Sequence, residues 1–593
     1  MRVHKRIVRR ESYPGDLLGE DIHPILARIY AARNLTNIAE LDRGLEKLIP
    51  YTTLKDVDAA VELLCDAVIH QQNILILADF DVDGATSCTV ALRALRMMGA
   101  AHASYLVPNR FEYGYGLTPE IAVVASKYKP DLLVTVDNGI SSIDGIAVAK
   151  SHGMKVLVTD HHLQGARLPD ADAIVNPNQK GDEFPSKMLA GVGVIFYVML
   201  ALRARLKGSG WFDSNNASIP NLATLLDLVA LGTVADVVPL DANNRILVEQ
   251  GLRRIRAGQC CPGITALLKI ARRNPQRLVA ADMGFAIAPR LNAAGRLDDM
   301  SLGIECLLSN DQTAADQLAA QLDELNQQRR QIESKMQYQA IDIIESLHLD
   351  DDNKPPVALC LYDDRWHQGV IGILASRIKE RLHRPVIAFA RAGRTGGAND
   401  ANDNGEDSDE IKGSARSIPG LHIRDALDAV ASRYPALLNK FGGHAMAAGM
   451  TIRAKDLTAF TRAFQEEVSR TIAPESLQGI ILSDGELGAD ELSLVFAEGL
   501  RRGGPWGQGF PEPIFDGHFQ IVDRRIVGEK HLKMLLRAAN SEQCIDAIAF
   551  NIVDRDWPRD TREVEIAYRL DVNEYRGVLS PQLIIEQVTP CQE

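Results

Sequence analysis

ILILADFDVDGATSCTV, residues 74–90, decides how the rest of the chain is read. Its apolar opening, bounded by polar residues, predicts a buried and parallel β-strand. Asp79, Asp81 and Asp83 follow on alternate positions, then Gly84 and the start of a helix. Clustered carboxylates repel one another by several kcal/mol when partly desolvated, so they need protons, hydrogen bonds or a cation. In an open α/β sheet the ligand crevice lies beyond the carboxyl ends of the strands, which is where these side chains fall. A hard divalent metal is the economical occupant.

Outward from this stretch, strands and amphipathic helices alternate from about residue 55 to 180. Further strands are expected at Ala103–Val107, Leu132–Val136, Val156–Thr159 and Ile174–Val175. That alternation predicts a doubly wound parallel sheet. Ala190–Leu206 and Leu222–Leu231 read as buried helices. Three more carboxylate or histidine clusters fall at element ends: Asp137 in VTVDNG, Asp160-His161-His162 in VTDHH, and Asp236 in LGTVADVVPL. Four segments thus deliver oxygen and imidazole ligands to one sheet edge, a donor set suited to Mn²⁺ or Mg²⁺ rather than zinc. Two such ions would activate water for in-line displacement at phosphorus, so metal-dependent phosphoester hydrolysis is the expected chemistry.

The bulk properties narrow the class. A chain of 593 residues exceeds one core. Composition is that of a globular protein, with 46% hydrophobic and 24% charged residues. No run approaches the roughly 20 apolar residues of a membrane helix, and MRVHKRIVRR lacks a signal-peptide core. The eight cysteines show no CxxC spacing, so neither a zinc knuckle nor a disulfide framework is indicated, and a reduced, cytoplasmic setting is expected. A net charge of −13 argues against coating nucleic acid through bulk charge, while leaving room for a locally basic channel.

The expected organisation has five parts. Residues 1–54 form an N-terminal wrapping segment and 55–305 the catalytic domain. Residues 306–350 form a connecting helix, since Asp311–Leu347 lacks Gly and Pro and places Leu318, Leu322, Leu325, Ile332 and Met336 near heptad spacing. Residues 351–474 form a second α/β domain, interrupted at 392–410 by AGRTGGANDANDNGEDSDE, which is read as a disordered insertion. Residues 475–593 hold about five half-buried strands from near Ile514, with alternation at Leu532, Met534, Leu536 and at Val564, Ile566, Tyr568, Leu570, Val572. A small barrel of the oligonucleotide-binding (OB) type fits, made locally basic by Arg524, Arg525, Lys530, Lys533 and Arg537.

DFDVDG, VDNG, TDHH and GTVADVVPL, in this order and spacing, resemble the four motifs of the DHH phosphoesterase superfamily. RWHQGVIGILASRI, KGSARSI and FGGHAMAAG resemble its associated substrate-binding domain. GPWGQGFPEPIF and the β-rich end resemble the single-strand-specific 5′→3′ DNA exonucleases of that superfamily. The resemblance implies two α/β domains joined by a long helix, with a C-terminal OB-like barrel. It implies that Asp81, Asp83, Asp137, His161 and Asp236 bind two Mn²⁺ or Mg²⁺ ions, Asp137 bridging them. His162 would act beside the scissile phosphate, with Asp79 and Asp160 as further catalytic candidates, Asp160 by orienting a ligand histidine.

Substrate contacts are expected from Arg110, Tyr113 and Tyr115 in NRFEYGYGL, and from Arg290 and Arg296 in APRLNAAGR. Ser414 and Arg416 resemble a terminal-phosphate pocket. Gly442, Gly443 and Gly449 would let the backbone approach a phosphate, with a following helix start supplying N–H groups and His444 adding a donor. The resemblance implies recombination, repair and mismatch repair as the setting, single-stranded DNA as substrate, a single-strand-binding protein and a DNA helicase as partners, no membrane, and a monomer. Small-substrate phosphatases of the superfamily carry a histidine where Leu77 stands and lack the barrel. An inactive DNA-binding relative is the rival from another class, and retention of all five expected ligands argues against it.

Overall fold

The computed structural model describes residues 5–11, 22–109, 116–346, 356–392, 409–438, 440–528, 531–538, 541–550 and 562–590. Arg110, Tyr113, Tyr115, Lys530 and residues 393–408 of the expected insertion lie outside them. Contacts divide the chain into two units. One comprises residues 1–10, 327–494 and 514–593; the other comprises 11–326 and 495–513. The second, here the catalytic unit, holds the segments expected to be catalytic.

Strand β1 (Arg6–Arg9) belongs to the first unit, where it pairs in parallel with Ile480–Ser483. The catalytic unit is built on β2 (Ile74–Ala78), β3 (Ala103–Leu106), β4 (Leu132–Val136), β5 (Lys155–Thr159) and β6 (Ala173–Val175). They form one parallel sheet in the order β3-β2-β4-β5-β6. β2 and β4 are buried along their whole length, because helices cover both sheet faces, and this explains their unbroken apolar runs. One face packs Ile74 and Ile76 with the helices Val57–Ile69, Val82–Met97 and Gly191–Gly208; the other packs Leu75 and Leu77 with Ile121 and Ile146.

The other unit contains a mixed sheet of β7 (Leu359–Tyr362), β8 (Val386–Arg391), β9 (Glu410–Arg416), β10 (Lys440–Gly443) and β11 (Ala447–Arg453), in the order β10-β11-β9-β8-β7. Only β7 and β8 are parallel. β12 (Ile480–Ser483) leads to a closed barrel of β13 (Phe515–Val527), β14 (His531–Ala538), β15 (Cys544–Ala549), β16 (Glu563–Tyr575) and β17 (Val578–Pro590). Alternation holds on β14, where Leu532, Met534 and Leu536 are buried. On β16 a bulge at Ala567/Tyr568 puts both of those residues inside. The Arg9 guanidinium pairs with Asp516 of β13, tying the start of the chain to the barrel.

The helix Gln312–Ser346 is continuous, and the division between units falls within it, at Asn326/Gln327. Residues 475–494 fall in the unit that also holds the barrel. Residues 495–513 belong with the catalytic unit, because Trp506 and Phe510 stack beside Tyr30 of the helix Pro24–Ala31. Among the described residues no helix is long and apolar enough to cross a membrane.

Candidate metal centre

β2 ends at Ala78, and the chain turns through Asp79 into the helix Val82–Met97. Asp81 caps that helix, its Oδ1 accepting the Gly84 amide at 3.1 Å. A Cβ on Gly84 would lie 2.4 Å from the Asp79 carbonyl oxygen, so only glycine allows the helix to start this close to the strand. Asp83 is almost fully buried. Its two oxygens accept the Gly191 and Val192 amides at 2.6 and 2.9 Å, at the N-terminus of the helix Gly191–Gly208. Backbone donors and the helix dipole hold this carboxylate in place.

Asp137 follows β4 in the left-handed region, at φ 61°, with its amide donating to Thr159. Gly191 gives it room, since a Cβ there would lie 2.6 Å from the Asp137 Cβ. Asp160 follows β5 and is engaged entirely by protein donors. Oδ2 accepts Ile140 N, while Oδ1 accepts the amides of His161 and His162 and lies 2.8 Å from His162 Nδ1. Asn176 and Asn178 donate to the carbonyls of His162 and His161. Asp236 caps the C-terminal end of the helix Leu226–Ala235.

These elements converge. His161 Nε2 lies 3.2 Å from Asp137 Oδ1, 3.5 Å from Asp236 Oδ2 and 4.0 Å from Asp83 Oδ2. Donor atoms of Asp83, His161 and Asp236 lie within 4.8 Å of one another, as do those of Asp79, Asp81 and Asp137, and those of Asp137, His161 and His162. Burial first, and neighbouring carboxylates second, raise Asp83, Asp137 and Asp236 above the ordinary carboxylate range. Acids so destabilised in their charged form, around an imidazole, make a donor set that a hard divalent cation neutralises. Burial pushes the His162 imidazole down, but its hydrogen bond to Asp160 and that carboxylate's charge prevail and hold it up at about 9. Asp160 itself is pushed up by burial and brought net below its usual value by His162.

Family models match three stretches: the DHH family N-terminal domain over residues 73–233, the DHHA1 domain over 354–470 and the RecJ OB domain over 483–587. The single-stranded-DNA-specific exonuclease RecJ of Salmonella typhimurium is 52% identical over 591 residues, covering 100% of both chains. The chain belongs to the RecJ family. Its fold matches RecJ of Thermus thermophilus in complex with Mn²⁺, with TM-score 0.78 and 28% identity over 100% of this chain and 80% of that one. The same RecJ in complex with Mg²⁺ matches with TM-score 0.72 and 26% identity, over 100% and 79%. The motif resemblance and the expected α/β-plus-barrel architecture are thereby borne out.

Other expected residues divide. Arg290 is held by Asp323, its Nε donating to Oδ1 at 2.8 Å, and by the Ala286 carbonyl, so it pins two helices of the catalytic unit. Arg296 is half-buried in the last turn of the helix Ala288–Leu297. In the other unit Arg416 donates to Ser414 Oγ at 3.1 Å. A Cβ on Gly372, in the first turn of the helix Ile371–Leu382, would lie 2.8 Å from Arg416 Nη2 and 3.0 Å from Ser414 Oγ. A guanidinium, a hydroxyl and a helix N-terminus therefore share one spot, an arrangement suited to a phosphate.

FGGHAMAAG departs from expectation. It is the β10–β11 hairpin, with Gly442 opposite Gly449, and no helix follows it at once. Ser414 pairs with Gly449, and a Cβ on Gly442 or Gly449 would meet nothing within 4 Å, so these residues form an open floor. Gly443 sits at φ 149° and His444 in the turn, its amide donating to Ala447. The helix start near the phosphate-type residues is that of 371–382 instead. Sequence reading also missed the Gly191 and Val192 amides and Asn176 and Asn178; a glycine opening the apolar run GVGVIF was the one available sign.

Proposed function

We propose that this chain degrades single-stranded DNA from its 5′ end, releasing 5′-mononucleotides by two-metal hydrolysis. Family membership makes it a metal-dependent nuclease and a single-strand-specific DNA exonuclease. The convergence of Asp83, Asp137 and Asp236 on His161 Nε2 supports the two-metal reading, while the 5′ polarity and the mononucleotide product rest on the family resemblance.

Asp81, Asp83, Asp137, His161 and Asp236 would hold the ions, Asp137 being common to two of the three donor groups. Bound Mn²⁺ or Mg²⁺ supplies Lewis-acid charge and a water acidified for attack at phosphorus. His162, protonated at neutral pH, offers a charged donor to the phosphoryl oxygens as negative charge builds there. Asp160 acts through His162, fixing its ring and keeping its proton. Asp79 contributes negative charge at the same edge. Ser414, Arg416 and the open glycine floor would take the 5′-terminal phosphate, and the barrel, with Arg524 and Arg525 exposed on β13, would track the strand.

Action in recombination, repair and mismatch repair, beside a helicase and a single-strand-binding protein and as a cytoplasmic monomer, rests on the family resemblance. Digesting single strands labelled at either end, with and without Mn²⁺, tests the reading. Mononucleotides released first from the 5′ label only with metal are expected; 3′-first release or metal-independent cleavage refutes it.

A further inference from the structure

Asp236 stands at the end of a helix, and the residues after it are held in an unusual way. Val237 has φ 63° and is 62% exposed. A β-branched residue in the left-handed region is strained and keeps that conformation only where its surroundings impose it. The next residues are gripped at several backbone groups. The Pro239 carbonyl accepts from Asn244 Nδ2 at 2.9 Å, and the Leu240 carbonyl accepts from Arg245 Nη1 at 2.9 Å. The Leu240 amide donates to the Gln508 carbonyl at 2.7 Å.

That last partner comes from residues 503–513, far along the chain. The segment closes on itself through the reciprocal Gly507–Phe510 backbone bonds, at 2.9 and 3.1 Å. Phe510 is 1% exposed, stacks on Trp506 at 4.9 Å between ring centroids, and lies under the Arg245 guanidinium at 4.4 Å. Arg245 therefore grips the Leu240 carbonyl with one edge and the Phe510 ring with its face. The segment's outer end is fixed by Tyr30, whose hydroxyl donates to the Gly503 carbonyl, and by Arg33, whose Nε donates to the Pro511 carbonyl. Close approach is built in as well. A Cβ on Gly507 would lie 2.7 Å from Leu240 Cδ1, and Gly509, at φ 71°, passes 3.1 Å from Pro239 Cβ by the same measure.

We infer that residues 503–513 are a positioning clamp for the metal centre: Phe510 and Trp506, through the Gln508 carbonyl and Arg245, hold the 237–240 turn so that Asp236 faces His161. The inference rests on the assignment of Asp236 as a metal ligand. Loosening the clamp lets Val237 relax toward negative φ, which swings the preceding carboxylate away from the other donors. Trp506 and Phe510 act through the turn.

The test is Mn²⁺ affinity measured by calorimetry on the full chain, with circular dichroism as the check on folding. Phe510→Leu keeps an apolar side chain but loses the ring beneath Arg245. Its Mn²⁺ affinity is expected to fall about 10- to 100-fold, the range typical of groups that orient a metal ligand. Phe212→Leu, at another buried aromatic of the same unit, is the control for destabilisation alone and should bind Mn²⁺ as the parent does. Val237→Gly added to Phe510→Leu should recover much of the affinity, since glycine takes φ > 0 without strain. Parental affinity in folded Phe510→Leu, an equal loss in Phe212→Leu, or no recovery in the double variant overturns the clamp. Asp236→Asn measured alongside separates the two ideas: parental affinity there removes the ligand assignment itself.

Discussion

Asp236→Asn is expected to make the protein more stable without metal and less stable with it. The Asp83 and Asp236 donor atoms lie within 4.8 Å of each other, around His161. Two unit charges at that distance repel by about 3 kcal/mol at an effective dielectric of 20. Asp236 also sits at the C-terminal end of its helix, where the dipole disfavours an anion. The parent relieves part of this repulsion by protonation, because burial and its neighbours raise both acids. The amide in turn loses the attraction of His161, so the net gain is about 1–2 kcal/mol, or ~2–6 °C in Tm. The sign with pH follows. An acid whose folded pKa is raised costs nothing below its unfolded value near 4 and costs progressively more as pH rises toward the folded value. The advantage of Asp236→Asn in chelator should therefore be larger at pH 8 than at pH 5. Metal reverses the order, since saturation at about 100 times Kd adds roughly 2.7 kcal/mol to the parent alone. Calorimetric scans of both proteins in chelator and in Mn²⁺ read this crossing. A variant less stable than the parent in chelator, or one that keeps the Mn²⁺ increment, refutes the reasoning.

Four further perturbations have expected outcomes. Asp160→Asn removes the carboxylate that holds His162 at about 9, so the alkaline limb of the pH–rate profile should move down by roughly 1–3 units; an unmoved limb removes His162 as the proton-bearing group. In stability, the raised His162 helps fully below about pH 6.5 and loses that contribution as pH rises through 9, so this variant's deficit should shrink at alkaline pH. Arg416→Ala should raise KM for 5′-phosphorylated single strands about 10-fold or more with little change in kcat, and should affect strands lacking that phosphate less. Arg9→Ala should cost roughly 1 kcal/mol near neutrality, discounted because Arg9 is largely exposed. Burial pushes Asp516 up, but the Arg9 and Ser483 hydrogen bonds bring it below its usual value. The Arg9 contribution is therefore present above about pH 4 and vanishes as Asp516 protonates in more acid urea titrations. A chain ending at Pro513 should keep more Mn²⁺ affinity than one ending at Gln478, because only the longer retains Trp506 and Phe510; equal affinities in two folded truncations would contradict that.

What the sequence determined by itself is whatever burial writes locally. Ile74–Ala78 and Leu132–Val136 are apolar throughout because helices cover both faces of their sheet, and period-2 alternation marked β14 and β16 because one face of each is wet. The helix expected over 311–347 runs from Gln312 to Ser346, since 35 residues free of Gly and Pro leave the backbone few alternatives. Asp83, Asp137, His161 and Asp236 were legible as well, because carboxylates and imidazoles at the ends of buried elements violate the local pattern and ask for a reason. Tertiary structure alone decided the rest. FGGHAMAAG became a hairpin because Gly442 and Gly449 found each other across two strands, and Arg290 was claimed by Asp323 of another helix. The amides that hold Asp83 come from a helix more than a hundred residues on, and Phe510 joins the catalytic unit from near the end of the chain. A side chain's partner across such distances is set by packing free energy summed over the whole core, and no local period encodes it.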